Sequence, residues 1–135
     1  ADKKAVLPAG ATTAGPYSPG ILDGDTLYCA GQVGRDKDGK YPAAFEDEVK
    51  QTLENVGAIL KKAGYTFADA VTVQVYLADI EDFQRMNKVY MTYFPEPRPA
   101  RTTVGGIKLV PPARIEITVT AWKKNWSPSF PPTIF

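Results

Sequence analysis

Arg101 and Glu116 stand fifteen residues apart in PARTTVGGIKLVPPARIEI and raise the question of chemistry in this 135-residue chain. A guanidinium is planar, always charged and forked, so it suits a carboxylate or phosphate gripped at two points. The nearest carboxylates along the chain are Glu96, beyond two prolines, and Glu116 in the next strand. Arg101 is thus a binder of an anionic ligand, a surface arginine, or a partner of Glu96 or Glu116. Glu116 lies mid-strand among threonines, where a carboxylate either faces solvent or serves as a positioned base for a water.

Tyr17 occupies GPYSPG, a loop that glycine and proline make well defined, and either lines a site or packs locally. Cys29 has the parity of an apolar strand face and no histidine to activate it, which fits a buried small hydrophobe rather than a nucleophile. The chain has no histidine, which removes Ser-His and Cys-His nucleophile pairs and any His-based metal site. One cysteine allows no internal disulfide and no Cys-rich zinc site. RDKDGK at 35–40 resembles part of a calcium loop but lacks the closing glutamate, so it reads as a polar turn. Catalysis is left to Arg, Asp/Glu, Tyr, Ser/Thr, Lys, Cys29, backbone groups and water, with no metal or cofactor expected.

These residues need elements to hold them. Lys4–Leu7 suits a short edge strand, and Asp23-Gly24 between two apolar runs marks a hairpin. Leu27, Cys29, Gly31 and Val33 alternate as in a strand. Phe45, Val49, Leu53, Val56, Ile59 and Leu60 recur at helical spacing, with Glu46, Glu48, Lys50, Glu54 and Lys61 on the other face and Gly64 as the stop. Val71, Val73, Val75 and Leu77 predict a β-branched strand. Asp79 is placed to cap a second helix carrying Ile80, Phe83, Met86, Tyr90, Tyr93 and Phe94, ended by Pro95 and Pro97. ARTTVGGIKL and ARIEITVTAW follow as two strands around Val110-Pro111-Pro112. In the last strand Ile115, Ile117, Val119 and Ala121 share one face; Arg114, Glu116, Thr118 and Thr120 share the other.

The order is β-β-β-α-β-α-β-β, an α+β chain with both helices on one face of a mixed six-stranded sheet. The uncovered face carries too few charges to be simply wet, which predicts a homo-oligomer. A hairpin of the last two strands would set Arg101 beside Glu116. Arg101 has the parity of Ile107 and Leu109, the core side, but a bulge at Gly105-Gly106 would reverse it.

The length fits a single domain, residues 1–124, followed by an aromatic and proline-rich extension at 125–135. Trp126, Phe130 and Phe135 of that extension are expected to cap an exposed groove. The net charge of +1 gives no general pull toward nucleic acid or anionic membrane, and no apolar run is long enough to span a bilayer. A cytoplasmic protein is the default, although a start at Ala1 also fits removal of a leader.

GPYSPG, AGQVG, DFQRMNKVY and the spaced pair PAR…IE together resemble the RidA/YjgF family of reactive-intermediate deaminases, over roughly residues 4–123. The resemblance implies a chorismate-mutase-like fold and a homotrimer with active sites between subunits. It implies hydrolysis of enamine/imine acids such as 2-aminoacrylate and 2-iminobutanoate to 2-keto acids and ammonia, with no cofactor. On this pattern Arg101 is the carboxylate-binding arginine and Glu116 the glutamate that positions the attacking water. Tyr17 lines the cleft, Gly31 offers a backbone contact, and Asn87 is the asparagine of the second helix. Thr103 stands where cysteine is common, Ala30 where serine is common, and Gly105-Gly106 where pocket residues are bulkier. These departures leave the imino acid unspecified; a larger one, or an enamine from another pathway such as pyrimidine breakdown, fits as easily. The resemblance also admits a non-catalytic, small-carboxylate-binding trimer or holdase, and a ribonuclease or translation inhibitor. Near-neutral charge and the missing histidine speak against the last.

Overall fold

The computed structural model describes residues 2–11 and 15–124; the extension with Trp126, Phe130 and Phe135 lies outside the described residues. Among those described, the chain forms β1 (Lys4–Val6), β2 (Gly20–Asp23), β3 (Thr26–Cys29), α1 (Phe45–Ala63), β4 (Ala70–Leu77), α2 (Phe83–Tyr93), β5 (Ala100–Val104) and β6 (Ile115–Trp122). The order matches the one read from the periodicities. Asp79 caps a short 3-10 turn over Ile80–Asp82 through Oδ1 and the Glu81 amide, and α2 starts only after it.

One six-stranded sheet runs β1-β2-β3-β6-β4-β5. Neighbours are antiparallel except β4 and β5, which the α2 crossover makes parallel. Helix α1 spans nineteen residues, with Glu46, Asp47 and Glu48 in its first turn and Lys61 and Lys62 in its last, the arrangement that the helix dipole favours. Gly64 ends it at φ +82°, which glycine adopts without a Cβ clash, and Tyr65 N–H closes the turn on the Leu60 carbonyl at 2.8 Å. Val49, Leu53, Val56, Ile59 and Leu60 meet Val73, Val75, Leu77, Ile115, Ile117 and Val119 in one core, all essentially inaccessible to water. Burying such a side chain contributes about 1.5–3 kcal/mol each. Both helices lie on this side, and the opposite face of the sheet leaves Tyr28 and Trp122 half exposed.

Besides the late start of α2 and the end of β3 at Cys29, short of Gly31 and Val33, the structure departs from the sequence reading in three places. First, β5 and β6 are not a hairpin: β4 separates them. Residues 105–114 are long enough to pass over the end of β4, where Ile107 N–H meets the Leu77 carbonyl and Ala78 N–H meets the Arg114 carbonyl. The strand of residues 100–109 therefore stops at Val104. Second, Glu48 is not on the wet face of α1 but 1% exposed. Its carboxylate accepts from Arg114 N–H at 2.8 Å and from Arg114 Nε at 2.6 Å, which neutralises a charge that burial would otherwise penalise. Third, Arg114 precedes β6 and turns to Glu48 and to the carbonyls of Pro42 and Ala43 instead of sharing the Glu116 face.

Candidate active site

Arg101 pairs in register with Val73, a core residue of β4, so its side chain leaves β5 on the helix side. The parity reading holds, because the glycine pair follows the strand instead of interrupting it. On α2, Phe83, Asn87 and Tyr90 recur at four- and three-residue spacing along one face. The Arg101 guanidinium stands 4.7 Å from the Tyr90 ring centroid and 5.6 Å from that of Phe83. Such cation–π contacts hold a guanidinium in place without cancelling its charge. The ion pairs among the described residues are Arg85 with Glu46 and Asp82, Arg98 with Glu96, and Arg114 with Glu48. Arg101 belongs to none of them, which excludes Glu96 and Glu116 as its ion-pair partners within the chain.

The helix beside Arg101 also carries two buried polar atoms without a hydrogen bond of acceptable geometry, Asn87 Oδ1 and the Tyr90 hydroxyl. Buried polar atoms are nearly always paired, and these two stand beside a guanidinium that has no carboxylate partner among the described residues. Burial pushes the Tyr90 phenol pKa up, and the charge of Arg101, its approach to the hydroxyl and the charge of Arg98 oppose the rise. Thr103 pairs with Val75 and so joins Arg101 on the helix side.

Glu116 pairs with Tyr76, on the opposite face of the sheet. Strand β3 ends at Cys29, and the chain returns to β6 only at Gln32, which exchanges backbone bonds with Ile117 at 2.8 and 2.9 Å. Gly31 lies in that break. A Cβ on Gly31 would collide with the Glu116 carboxylate and press on Thr118 Oγ1, so glycine lets the carboxylate lie against the backbone. Ala30 N–H donates to the Pro19 carbonyl at 2.8 Å, tying the Tyr17 loop to the same break. Tyr17 itself is 58% exposed. Tyr41 borders a wide hollow of about 600 Å³ with Pro42, Pro112 and Arg114. Burial raises its pKa, Arg35 opposes, and the charges of Glu48 and Glu116 add to the rise.

The helix side of the sheet thus carries Arg101, Thr103 and Asn87, the opposite face carries Glu116 against Gly31, and Tyr17 stands exposed on the loop tied to that break. Phe83 and Tyr90 escaped the sequence reading as functional groups because their spacing is that of any apolar helix face. Gly105 is explained by packing: a Cβ there would strike Ile80. Burial pushes the Cys29 thiol up to about 12, which suits a core residue and not a nucleophile. Among the described residues no cluster of acidic or cysteine side chains could hold a metal, and no helix is long and apolar enough to cross a membrane.

Fold and side-chain placement define a small α+β protein with a guanidinium outside every ion pair among the described residues on one face of its sheet and a carboxylate on the other. A family model described as endoribonuclease L-PSP matches residues 9–123. A RutC family protein of Pyrococcus horikoshii is 44% identical over 112 residues, covering 82% of this chain and 89% of that protein. The rat 2-iminobutanoate/2-iminopropanoate deaminase is 41% identical over 109 residues, 79% of this chain and 80% of that one. The crystal structure of the E. coli YjgF gene product superposes with a TM-score of 0.83 at 32% identity, covering 89% of this chain and 98% of that one. The chain belongs to the RidA/YjgF family and has its fold.

Proposed function

We propose that this protein hydrolyses reactive enamine/imine acids of the 2-aminoacrylate and 2-iminobutanoate type to 2-keto acids and ammonia. The observation that carries the reading is Arg101, a half-buried guanidinium held on Tyr90 and Phe83 with no carboxylate partner among the described residues. Relatives named 2-iminobutanoate/2-iminopropanoate deaminase support it. A bidentate charge-assisted pair is worth about 1.5–3 kcal/mol, a large share of the affinity for a substrate of few atoms.

The chemistry needs neither histidine nor metal. The protonated imine carbon, R–C(=NH2+)–COO−, is already electrophilic. Glu116 takes a proton from a water as its oxygen bonds to that carbon. It then returns that proton to the nitrogen, and as the carbon–nitrogen bond breaks the proton of the new hydroxyl passes to the departing ammonia, so that imine and water become keto acid and ammonium.

Because Arg101 and Glu116 face opposite sides of the sheet, we place the working site between copies of a homotrimer. Arg101, Thr103 and Asn87 come from one copy, and Tyr17, Gly31 and Glu116 from its neighbour. The half-exposed Tyr28 and Trp122 on the open face supply the apolar surface that association would cover. The family model's description names an endoribonuclease; the missing histidine and the net charge of +1 argue against RNA cleavage here.

The test is a coupled assay in which a threonine or serine dehydratase generates the imine and keto-acid release is timed. Acceleration by the protein, lost in Arg101→Ala, supports the deaminase. No acceleration with either imine turns the reading toward a trimer that binds small carboxylates without turning them over.

A further inference from the structure

Arg98 lies between Pro97 and Pro99 in the link from α2 to β5. Prolines on both sides restrict the backbone there, so the side chain leaves the link in a defined direction. Its Nε donates to the Phe94 carbonyl at the end of α2, at 3.1 Å. Phe94 is fully buried and stacks on Tyr90 with ring centroids 4.3 Å apart. Tyr90 is the ring beneath Arg101. Arg101 thus lies over one ring of the stack while Arg98 is tied to the backbone of the other, and the charges of both act on the Tyr90 phenol.

Arg98 is only loosely committed. Its one ion pair among the described residues is with Glu96, at 3.8 Å, and that glutamate side chain is 83% exposed. A pair so long and so wet is easily exchanged for another anion. Nη2 makes no hydrogen bond among the described residues. A single substrate carboxylate fills the fork of Arg101, and a substrate with an apolar side chain leaves the second cation unused.

We infer that Arg98 is a specificity residue, and that the site takes imino acids whose side chain carries a second carboxylate, held by Arg98 while Arg101 holds the first. This rests on the deaminase reading above. The reaction is unchanged: the imine carbon gains the water oxygen and loses ammonia, and the distal carboxylate takes no part in bond making.

The experiment compares imines of equal chain length with and without the distal charge. An amino-acid oxidase generates the imines of glutamate and norvaline in place, and keto-acid release is timed with the native protein, Arg98→Ala and Arg98→Lys. The native protein should favour the glutamate imine in kcat/KM by roughly tenfold or more, the scale of a charge-assisted hydrogen bond. That ratio should fall to about one in Arg98→Ala and partly return in Arg98→Lys. A native ratio near one, or a ratio that survives Arg98→Ala, overturns the proposal. If neither imine is accelerated, the deaminase reading fails on its own, and calorimetric binding of 2-oxoglutarate against 2-oxopentanoate decides about Arg98. A roughly tenfold preference for 2-oxoglutarate that is lost in Arg98→Ala upholds its role; equal affinities remove it.

Discussion

Arg101 and Glu116 point from opposite faces of one sheet: Arg101 is level with core residue Val73, and Glu116 is level with Tyr76 on the other side. Strand β4 stands between their strands. No side-chain rotation within one chain brings the two groups to a common substrate.

On the proposed trimer, chains that each lack one of the two groups should complement one another. Arg101→Ala and Glu116→Ala should each be inactive alone. Co-refolded in equal amounts, they should regain about a quarter of native activity, since each shared site draws each half intact one time in two. Mixed oligomers that stay inactive would mean that the halves do not combine across copies.

Gly31→Ala places a methyl group where the Glu116 carboxylate now lies. Displacing a water-positioning group by about an ångström is expected to lower kcat/KM roughly 100-fold while the fold survives. Steady-state kinetics beside a thermal melt separates the two effects. Native kinetics in a folded Gly31→Ala protein would remove Glu116 from the backbone contact assigned to it.

Glu48→Ala leaves Arg114 without its carboxylate and opens a gap under the first turn of α1. Breaking a buried pair costs about 3–5 kcal/mol, and the partial exposure of Arg114 puts the expectation near the low end. Urea unfolding at fixed protein concentration measures it, and a loss under about 1 kcal/mol would show that water replaces the carboxylate.

The pH dependence of the α1–α2 contact comes from Glu46. Its hydrogen bonds with Arg85 hold the carboxyl down at about 2, against an ordinary value of 4.5. A folded-state pKa below the unfolded one stabilises the protein above the unfolded value, and the contribution fades as pH falls through the folded one. Glu46→Gln should therefore melt slightly below the native protein at pH 7, and the gap should close between pH 4.5 and 2. A gap that persists at pH 2 would assign the effect to packing. Since both groups are solvent-accessible, added salt should also narrow it.

Much of this was legible in the residues. Strand and helix periods around Val73–Leu77, Val49–Leu60 and Ile115–Ala121 located the elements, because alternation and helical spacing are imposed by near neighbours along the chain. Arg101 and Glu116 stood out because few side chains can grip a carboxylate or activate a water once histidine is absent. Glu48 misled, since a carboxylate at helical spacing with other charges looks solvated until a partner from sixty-six residues away is known.

The sequence by itself determined the order of elements and the kinds of chemistry within reach; the side of the sheet toward which Arg101 points stayed open until the glycine pair proved to lie beyond the end of β5. Tertiary structure decided which strands pair: β6 enters between β3 and β4, so the expected hairpin does not form and Glu116 lies two strands from Arg101. It also decided that Arg101 rests on Tyr90 and that Gly31 gives way to Glu116. The physical reason is range. Periodicity is set by residues a few positions apart, whereas strand order is set by whichever long-range pairing buries the most apolar surface and leaves the fewest backbone groups unpaired.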